Sequence, residues 1–379
     1  MSLFIDIHAL QTLPPSNINR DDTGAPKTAV FGGVPRQRVS SQAWKRAIRQ
    51  DFKNSLGEEV VGVRTKRSFD LVVAEVLRLT AEAGEEWTKE AAEEAVEGLY
   101  TAAKMKLKPT RESEGRESHL ETGSLLFLSR RQLRAAAELV ISAEGAKPTK
   151  KDADRVFDTD HSIDIAMFGR MVAEAPDYNV DASVQVAHAL GVHESEPEFD
   201  YFTAVDDVAS EAEETGAGMI GTIQMMSSTL YRFASVNLTS LAETLGDSEA
   251  ARQAAVAFLR SFVVSLPTGK QNTFANSTLP ELVYVTVRNE RSVSFVNAFE
   301  EPIAADETSG RRVKAAEKLA EEAKNASTCF GFAPTAAFVI GADNLVKPFA
   351  AVGTRTTLQE LAPQVTATLE QLATEGEDR

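Results

Sequence analysis

Asn19-Arg20-Asp21-Asp22, then Lys27, Phe31-Gly32-Gly33, Arg36 and Arg38, then Ser40-Ser41-Gln42-Ala43-Trp44-Lys45-Arg46-Ala47-Ile48-Arg49: this stretch decides how the chain is read. Forty Lys and Arg residues are spread over 379 positions with a formal net charge of −16, yet seven of them fall between 20 and 49 beside only two acids. Residues 1–50 hold seven basic and three acidic side chains, a net +4, which leaves −20 on the other 329 residues. A chain that repels polyanions as a whole has concentrated its cations in one segment. Such a segment is a candidate phosphate-binding site.

Ser40 or Ser41 is a good N-cap for a helix over about 41–54, whose apolar stripe is Trp44, Ala47, Ile48 and Phe52. Gln42, Lys45, Arg46 and Arg49 recur at three- and four-residue spacing on an adjacent face. A capped helix start flanked by cations suits an anion, and a solvated amphipathic helix has the same pattern.

Outward from this segment, the length allows two or three domains and the 43% apolar content is that of an ordinary globular protein. No run is long or clean enough to span a membrane, Met1–Asp6 lacks signal-peptide character, and the single Cys329 fits a reducing cytosol, so a cytoplasmic location is expected. Residues 3–10 alternate as a half-buried strand, followed by a long loop at 11–39. Phe69–Leu79, Lys89–Met105 and Leu125–Ile141 read as amphipathic helices, and Asp164–Met171 as a short strand ending in a glycine turn. Strands are predicted at Tyr231–Leu238, Leu282–Asn289, Ser292–Phe299 and Ala336–Gly341, with helices at about 249–264 and 312–325. That order is a split βαβ, ferredoxin-like layer. Residues 193–225, polar and with Gly216, Gly218 and Gly221, read as a surface excursion. Residues 171–231 contain twelve acids and no Lys or Arg.

Catalytic and metal motifs are weak. Thr268-Gly269-Lys270 is no P-loop, because Val264 stands where the first glycine should be and Gln271 where Ser/Thr is needed. Asp158, Asp160, His161 and Asp164 match no metal-ligand loop, and Asp21-Asp22 reads first as a turn cap. No cofactor and no metal site are expected.

On the strand Phe4-Ile5-Asp6-Ile7-His8, the basic stretch, Asp164-Ile165-Ala166, Gly169-Arg170-Met171, Phe202-Thr203-Ala204-Val205-Asp206-Asp207, Tyr231-Arg232 and Ala298-Phe299-Glu300, the chain resembles the CasC-type backbone subunit of the type I-E CRISPR Cascade complex nearly end to end. The resemblance implies an α+β fold with an RRM-like (ferredoxin-like) palm, a helical fingers insertion and an extended hairpin thumb. The palm takes residues 1–60 and 226–379, the fingers 61–180 and the thumb 193–225. It implies a non-enzymatic subunit that polymerises head to tail along CRISPR RNA, flips bases at intervals and supports pairing with target DNA. Its partners would be other copies of itself and CasA-, CasB-, CasD- and CasE-type subunits.

Carried over residue by residue, Arg20, Lys27, Ser40, Gln42, Lys45, Arg46 and Arg49 are the implied phosphate contacts, with Lys270 and Gln271 adding a further one. Arg170 and Met171 are further expected RNA-binding residues, Met171 as the implied wedge beneath the guide, and Phe202 with Thr203 form the wedge at the displaced pair. The alternative is a type III-like subunit that cleaves target RNA with a metal at Asp21 or Asp22.

Overall fold

The computed structural model describes residues 2–110, 118–143, 145–204, 219–304 and 310–377. Val205, Asp206 and Asp207 of the Phe-Thr-Ala-Val-Asp-Asp run, with Gly216 and Gly218, lie outside the described residues. The chain forms two units, one of residues 1–48, 186–236 and 255–379, the other of residues 49–185 and 237–254. The architecture is mixed α+β.

The first unit is built on β1 (Phe4–Ser16), which is longer than the predicted strand and covered on both faces. Ile5, Ile7 and Ala9 are fully buried, and so are Asp6 and His8 of the opposite face. The polar residues that make 11–39 look like a loop are satisfied inside the sheet, where Gln11 Nε2 donates to the Thr278 carbonyl and Thr12 Oγ1 meets Thr229 Oγ1. The same span supplies a hairpin, β2 (Thr28–Phe31) and β3 (Val34–Val39). Its turn needs glycine, since Gly32 has φ +61° and a Cβ there would lie 1.7 Å from the Glu300 carbonyl oxygen.

Adding β4 (Ala189–Gly191), β5 (Glu198–Ala204), β6 (Met219–Asn237), β7 (Leu282–Arg288), β8 (Ala336–Gly341) and β9 (Thr354–Arg355), the sheet runs β9-β8-β7-β1-β6-β4-β3-β2. β1 and β7 pair antiparallel from Phe4↔Arg288 to Leu10↔Leu282. The outer half of β6 forms a hairpin with β5.

The strand expected at Ser292–Phe299 is absent: its end is a 3-10 turn, Val296–Phe299. Its amides are claimed elsewhere. Val293 N donates to Asp6 Oδ2 at 2.8 Å and Phe295 N to the Tyr231 hydroxyl at 3.0 Å, while the Phe295 ring stacks on His8 at 4.4 Å.

The second unit packs α2 (Ser68–Glu82), α3 (Lys89–Ala102), α4 (Arg130–Ser142) and α5 (Lys150–Phe157) around Val72, Val76, Leu99, Tyr100, Ala136 and Phe157. Capping boxes at Ser129/Gln132 and Thr149/Asp152 satisfy first-turn amides of α4 and α5. Asp164–Met171 corrects the sequence reading, because Ile163–Phe168 is a helix (α6) that stops at Gly169 with φ +78°. Six apolar-rich residues carry little period, so the strand and helix readings are nearly degenerate. Asp164 resolves it at the helix start, accepting from Gly62 N and Ser162 Oγ. One further helix, α7 (Ser248–Val264), contributes Phe258 and Phe262 to the first unit, and α8 (Arg311–Phe330) buries its alanine face there.

Candidate nucleic-acid interface

Ile18–Lys27 is a closed loop fastened to the start of helix α1 (Ser41–Leu56). The Asn19 side-chain oxygen accepts from Ser40 N at 2.8 Å, its carbonyl from Lys27 N at 3.0 Å, and the Lys27 carbonyl from Arg38 N at 2.9 Å. A bridge between Arg20 and Pro26 pinches the base of the loop. Inside it, Asp21 Oδ1 accepts from Thr23 N, Thr23 Oγ1 and Ala25 N at 2.7 to 3.0 Å. Those bonds, the Thr23 hydroxyl first, hold the Asp21 carboxyl below its usual range. Asp21 therefore organises the turn, in keeping with the turn-cap reading of its sequence.

The loop leaves Arg20 exposed and Lys27 half-buried beside a helix start. Ser40 caps that start, accepting from Ala43 N through its carbonyl at 3.0 Å and more loosely through Oγ at 3.4 Å. The first amides of a helix have no intrahelical acceptor, so this end carries partial positive charge. Gln42 and Arg46 are exposed, and burial of Lys45 lowers its ammonium pKa below the usual value. Trp44 fixes the face. Its ring is covered by the guanidinium of fully buried Arg232, 3.7 Å from the centroid, which also donates to Gln11 Oε1 and stacks on Phe262.

The Thr268–Gln271 turn reaches the same loop. Gly269 sits so close that a Cβ there would be 2.3 Å from the Ile18 carbonyl oxygen. Lys270 follows in a left-handed conformation, φ +51°, and opens the short helix Gln271–Phe274. Arg20, Lys27, Ser40, Gln42, Lys45, Arg46, Lys270 and Gln271 thus all belong to the first unit, on three segments tied around Asn19 and Ile18.

The remaining candidates are placed differently. Arg36 is buried, and its guanidinium donates to the carbonyls of Phe31, Gly191, Phe299 and Glu300. Arg49, in the second unit, is committed to Asp164 at 2.8 Å and to the Gly62 carbonyl, with its guanidinium over Phe127. Arg170 is buried as well, donating to the carbonyls of Tyr178 and Phe157, and burial lowers its pKa. Neither arginine presents the open guanidinium that a phosphate contact needs. Met171, by contrast, is 79% exposed. Its neighbours are pinned, Arg170 by paired backbone bonds to Val180 and Val172 by its amide to Asn179 Oδ1.

Phe202 and Thr203 lie on β5 with opposite orientations, since alternate residues of a strand face opposite ways. The Phe202 ring covers Gly221 on β6, where a Cβ would be 2.3 Å from it. The sequence reading did not single out Asn17 and quoted Asn19 and Arg232 without their roles, because polar types in an apparent loop and strand gave no hint of their long-range partners. It gave no role to Phe199 or Tyr201, both exposed aromatics.

A family model described as "CT1975-like protein" matches residues 5–364. The chain belongs to this family. A chain of a solved "CRISPR RNA-guided surveillance complex, pre-nicking" is 35% identical with a TM-score of 0.81, covering 96% of this chain and 99% of its own. A second, from a "CRISPR RNA-guided surveillance complex", is 30% identical with a TM-score of 0.74 over the same shares. No curated protein matches. Among the described residues no helix of this CT1975-like protein is long and apolar enough to cross a membrane.

Proposed function

We propose that this CT1975-like protein is a backbone subunit of a CRISPR surveillance complex of type I-E, binding CRISPR RNA by its phosphates. The observation that carries the reading is the assembly of Arg20, Lys27, Lys45, Arg46 and Lys270 around one capped helix start, in a chain whose remaining residues are acidic in sum. Cations that meet the backbone position the strand without reading its bases, and sequence choice is left to pairing between guide and target. The relatives' complexes support this setting.

In this reading the first unit is the RRM-like palm, the second the fingers and the β5–β6 hairpin the thumb. Copies stack head to tail, a heterologous contact that extends into a filament, alongside CasA-, CasB-, CasD- and CasE-type subunits and target DNA in the cytoplasm. Arg49 and Arg170 act from within as structural arginines, and Met171 is the guide-side wedge. The subunit holds nucleic acid and does not cut it, a reading supported by the commitment of Asp21 Oδ1 to its own turn.

The test is the RNA that co-purifies with the full-length protein. A bounded length class protected at regular intervals is expected. Purification free of RNA, with no affinity for added single strands, would contradict the reading. Incubating the assembled protein with complementary RNA and magnesium or manganese should yield no products on a denaturing gel. Regular cleavage abolished by Asp21→Ala or Asp22→Ala would favour the nuclease.

A further inference from the structure

Four arginines are buried among the described residues: Arg36, Arg170, Arg232 and Arg288. Three of them have an acid in range. Arg288 pairs with Asp6 at 3.3 Å, Glu300 and Glu194 act on Arg36, and Asp158 acts on Arg170. Arg232 has no such acid among the described residues, in a chain that carries 56 of them. A buried cation without a counter-ion is costly, and long charged side chains are rarely fully buried unless paired.

Neutral groups hold it in place. The guanidinium lies against the rings of Trp44 and Phe262, 3.7 and 4.4 Å from their centroids. One terminal nitrogen donates to Gln11 Oε1 at 2.6 Å and the other to the Phe262 carbonyl, while Nε meets no acceptor among the described residues. These contacts fix the plane of the group and leave its charge unbalanced. Burial draws the pKa down to about 9, so the side chain is still a cation at neutral pH.

The place of this charge ties it to the grip. Trp44 is the fourth residue of α1, and its amide donates to the Ser40 carbonyl, so its ring hangs from the first turn. Gln11 donates onward through Nε2 to the Thr278 carbonyl at 2.7 Å, in the segment that follows the Lys270 turn. Arg232 is thus fastened to the two segments that carry Lys45, Arg46 and Lys270. Opposite unit charges roughly 10 Å apart, at an effective dielectric constant of about 20, attract strongly enough to change an equilibrium about tenfold. Salt screens a buried charge much less than an exposed one.

We infer that Arg232 is a positioning residue for nucleic acid: its buried charge is balanced only when a backbone phosphate sits at the start of α1. The free protein bears the cost of that charge, and the bound protein recovers it. The inference rests on the nucleic-acid reading above and adds to it a cation that never touches the strand.

The test measures, on the full-length protein, the affinity for a single-stranded RNA of unrelated sequence and the melting temperature without RNA. Arg232→Met, neutral and of similar length, should melt no lower than the unsubstituted protein, because apolar replacement of buried charge is often neutral or stabilising. It should nevertheless bind the RNA about tenfold more weakly. Gln11→Glu keeps the arginine and both rings and sets an acid beside the guanidinium. It should bind RNA more weakly than Gln11→Met, which loses the same bond to Thr278 and adds no charge.

If Arg232→Met does not fold, the pair of variants at residue 11 decides. Equal RNA affinity in Gln11→Glu and Gln11→Met would overturn the inference. So would an Arg232→Met protein that melts lower while its folded fraction binds RNA as tightly as before, which would make Arg232 a packing residue. Either result leaves the phosphate grip standing. An unsubstituted protein with no RNA affinity would instead overturn the function on which the inference rests.

Discussion

Asp164 has no exposed surface, and its carboxylate persists there because Arg49 Nε, Gly62 N and Ser162 Oγ all donate to it, at 2.8, 2.9 and 2.6 Å. Removing one partner of a buried ion pair costs about 3–5 kcal/mol, since the other charge is left uncompensated. Arg49→Ala, which strands the fully buried Asp164 charge, should therefore lower the denaturant midpoint strongly. Asp164→Ala should lower it too by stripping the acceptor from Gly62 N and Ser162 Oγ, although the Arg49 side chain it leaves is a quarter exposed. If Arg49→Ala instead leaves stability intact and abolishes RNA binding, Arg49 is a phosphate contact after all. His8 gives a second residue-scale test. Burial holds its pKa well below 6.5, so the unfolded chain takes up the proton first. The stability it contributes is complete above pH 6.5 and is lost as pH falls below that, at up to about 1.4 kcal/mol per pH unit. The raised pKa of Asp6, caused by its burial, acts in the opposite sense, so the histidine's share is read below pH 6.5 from a variant and not from the raw slope. His8→Phe should flatten that stretch of the pH–stability curve. A curve of unchanged slope would assign the effect to other groups, such as His161, pulled down to about 4 by burial. The basic types at 20–49 were legible in the sequence. Which of them were already engaged by buried carbonyls or by Asp164, 115 positions away from Arg49, was not, because a guanidinium looks the same wherever its partner lies.

At the scale of elements, periodicity located β1, β7, β8 and most helices, because each has a long apolar face, but the helix read at Leu125–Ile141 begins only at Arg130, Leu126–Leu128 being a strand paired with Val63–Thr65. It failed at Ile163–Phe168, too short to show a period, and at Ser292–Phe299, where side chains of Asp6 and Tyr231 take the amides that a strand would offer a neighbour. The Thr268–Lys270 turn is a useful target. Gly269→Ala would press a methyl against the Ile18 carbonyl and push the turn off the loop that carries Arg20. It should reduce RNA affinity about as much as Lys270→Ala does, measured by filter binding. An unaffected Gly269→Ala would mean that the turn is not part of the grip. Met171, held out by pinned neighbours, should behave in the reverse way. Met171→Ala is expected to blur the spacing of chemically hyper-reactive nucleotides in bound RNA with little loss of affinity or melting temperature, and a cost to stability alone would make it a mere packing residue.

For the molecule as a whole, the decisive feature is the contrast between +4 on the first fifty residues and −20 on the rest. That contrast, and with it the phosphate reading, was visible in the composition. The separation of a hairpin from the sheet was only suggested by its polar sequence. Replacing residues 200–222 by a short Gly-Ser link keeps Gln224 and its bond to Asn17, so the first unit should stay folded while regular assembly on RNA fails in electron micrographs. Evenly spaced filaments from that variant would exclude a bridging hairpin. The phosphate grip is best tested by RNA affinity across a salt series, comparing the unsubstituted protein with Lys45→Glu/Arg46→Glu. The variant should bind unrelated sequences more weakly alike, with a salt slope flatter by roughly 0.7 log units for each phosphate that it no longer neutralises. A slope that does not change would contradict the grip.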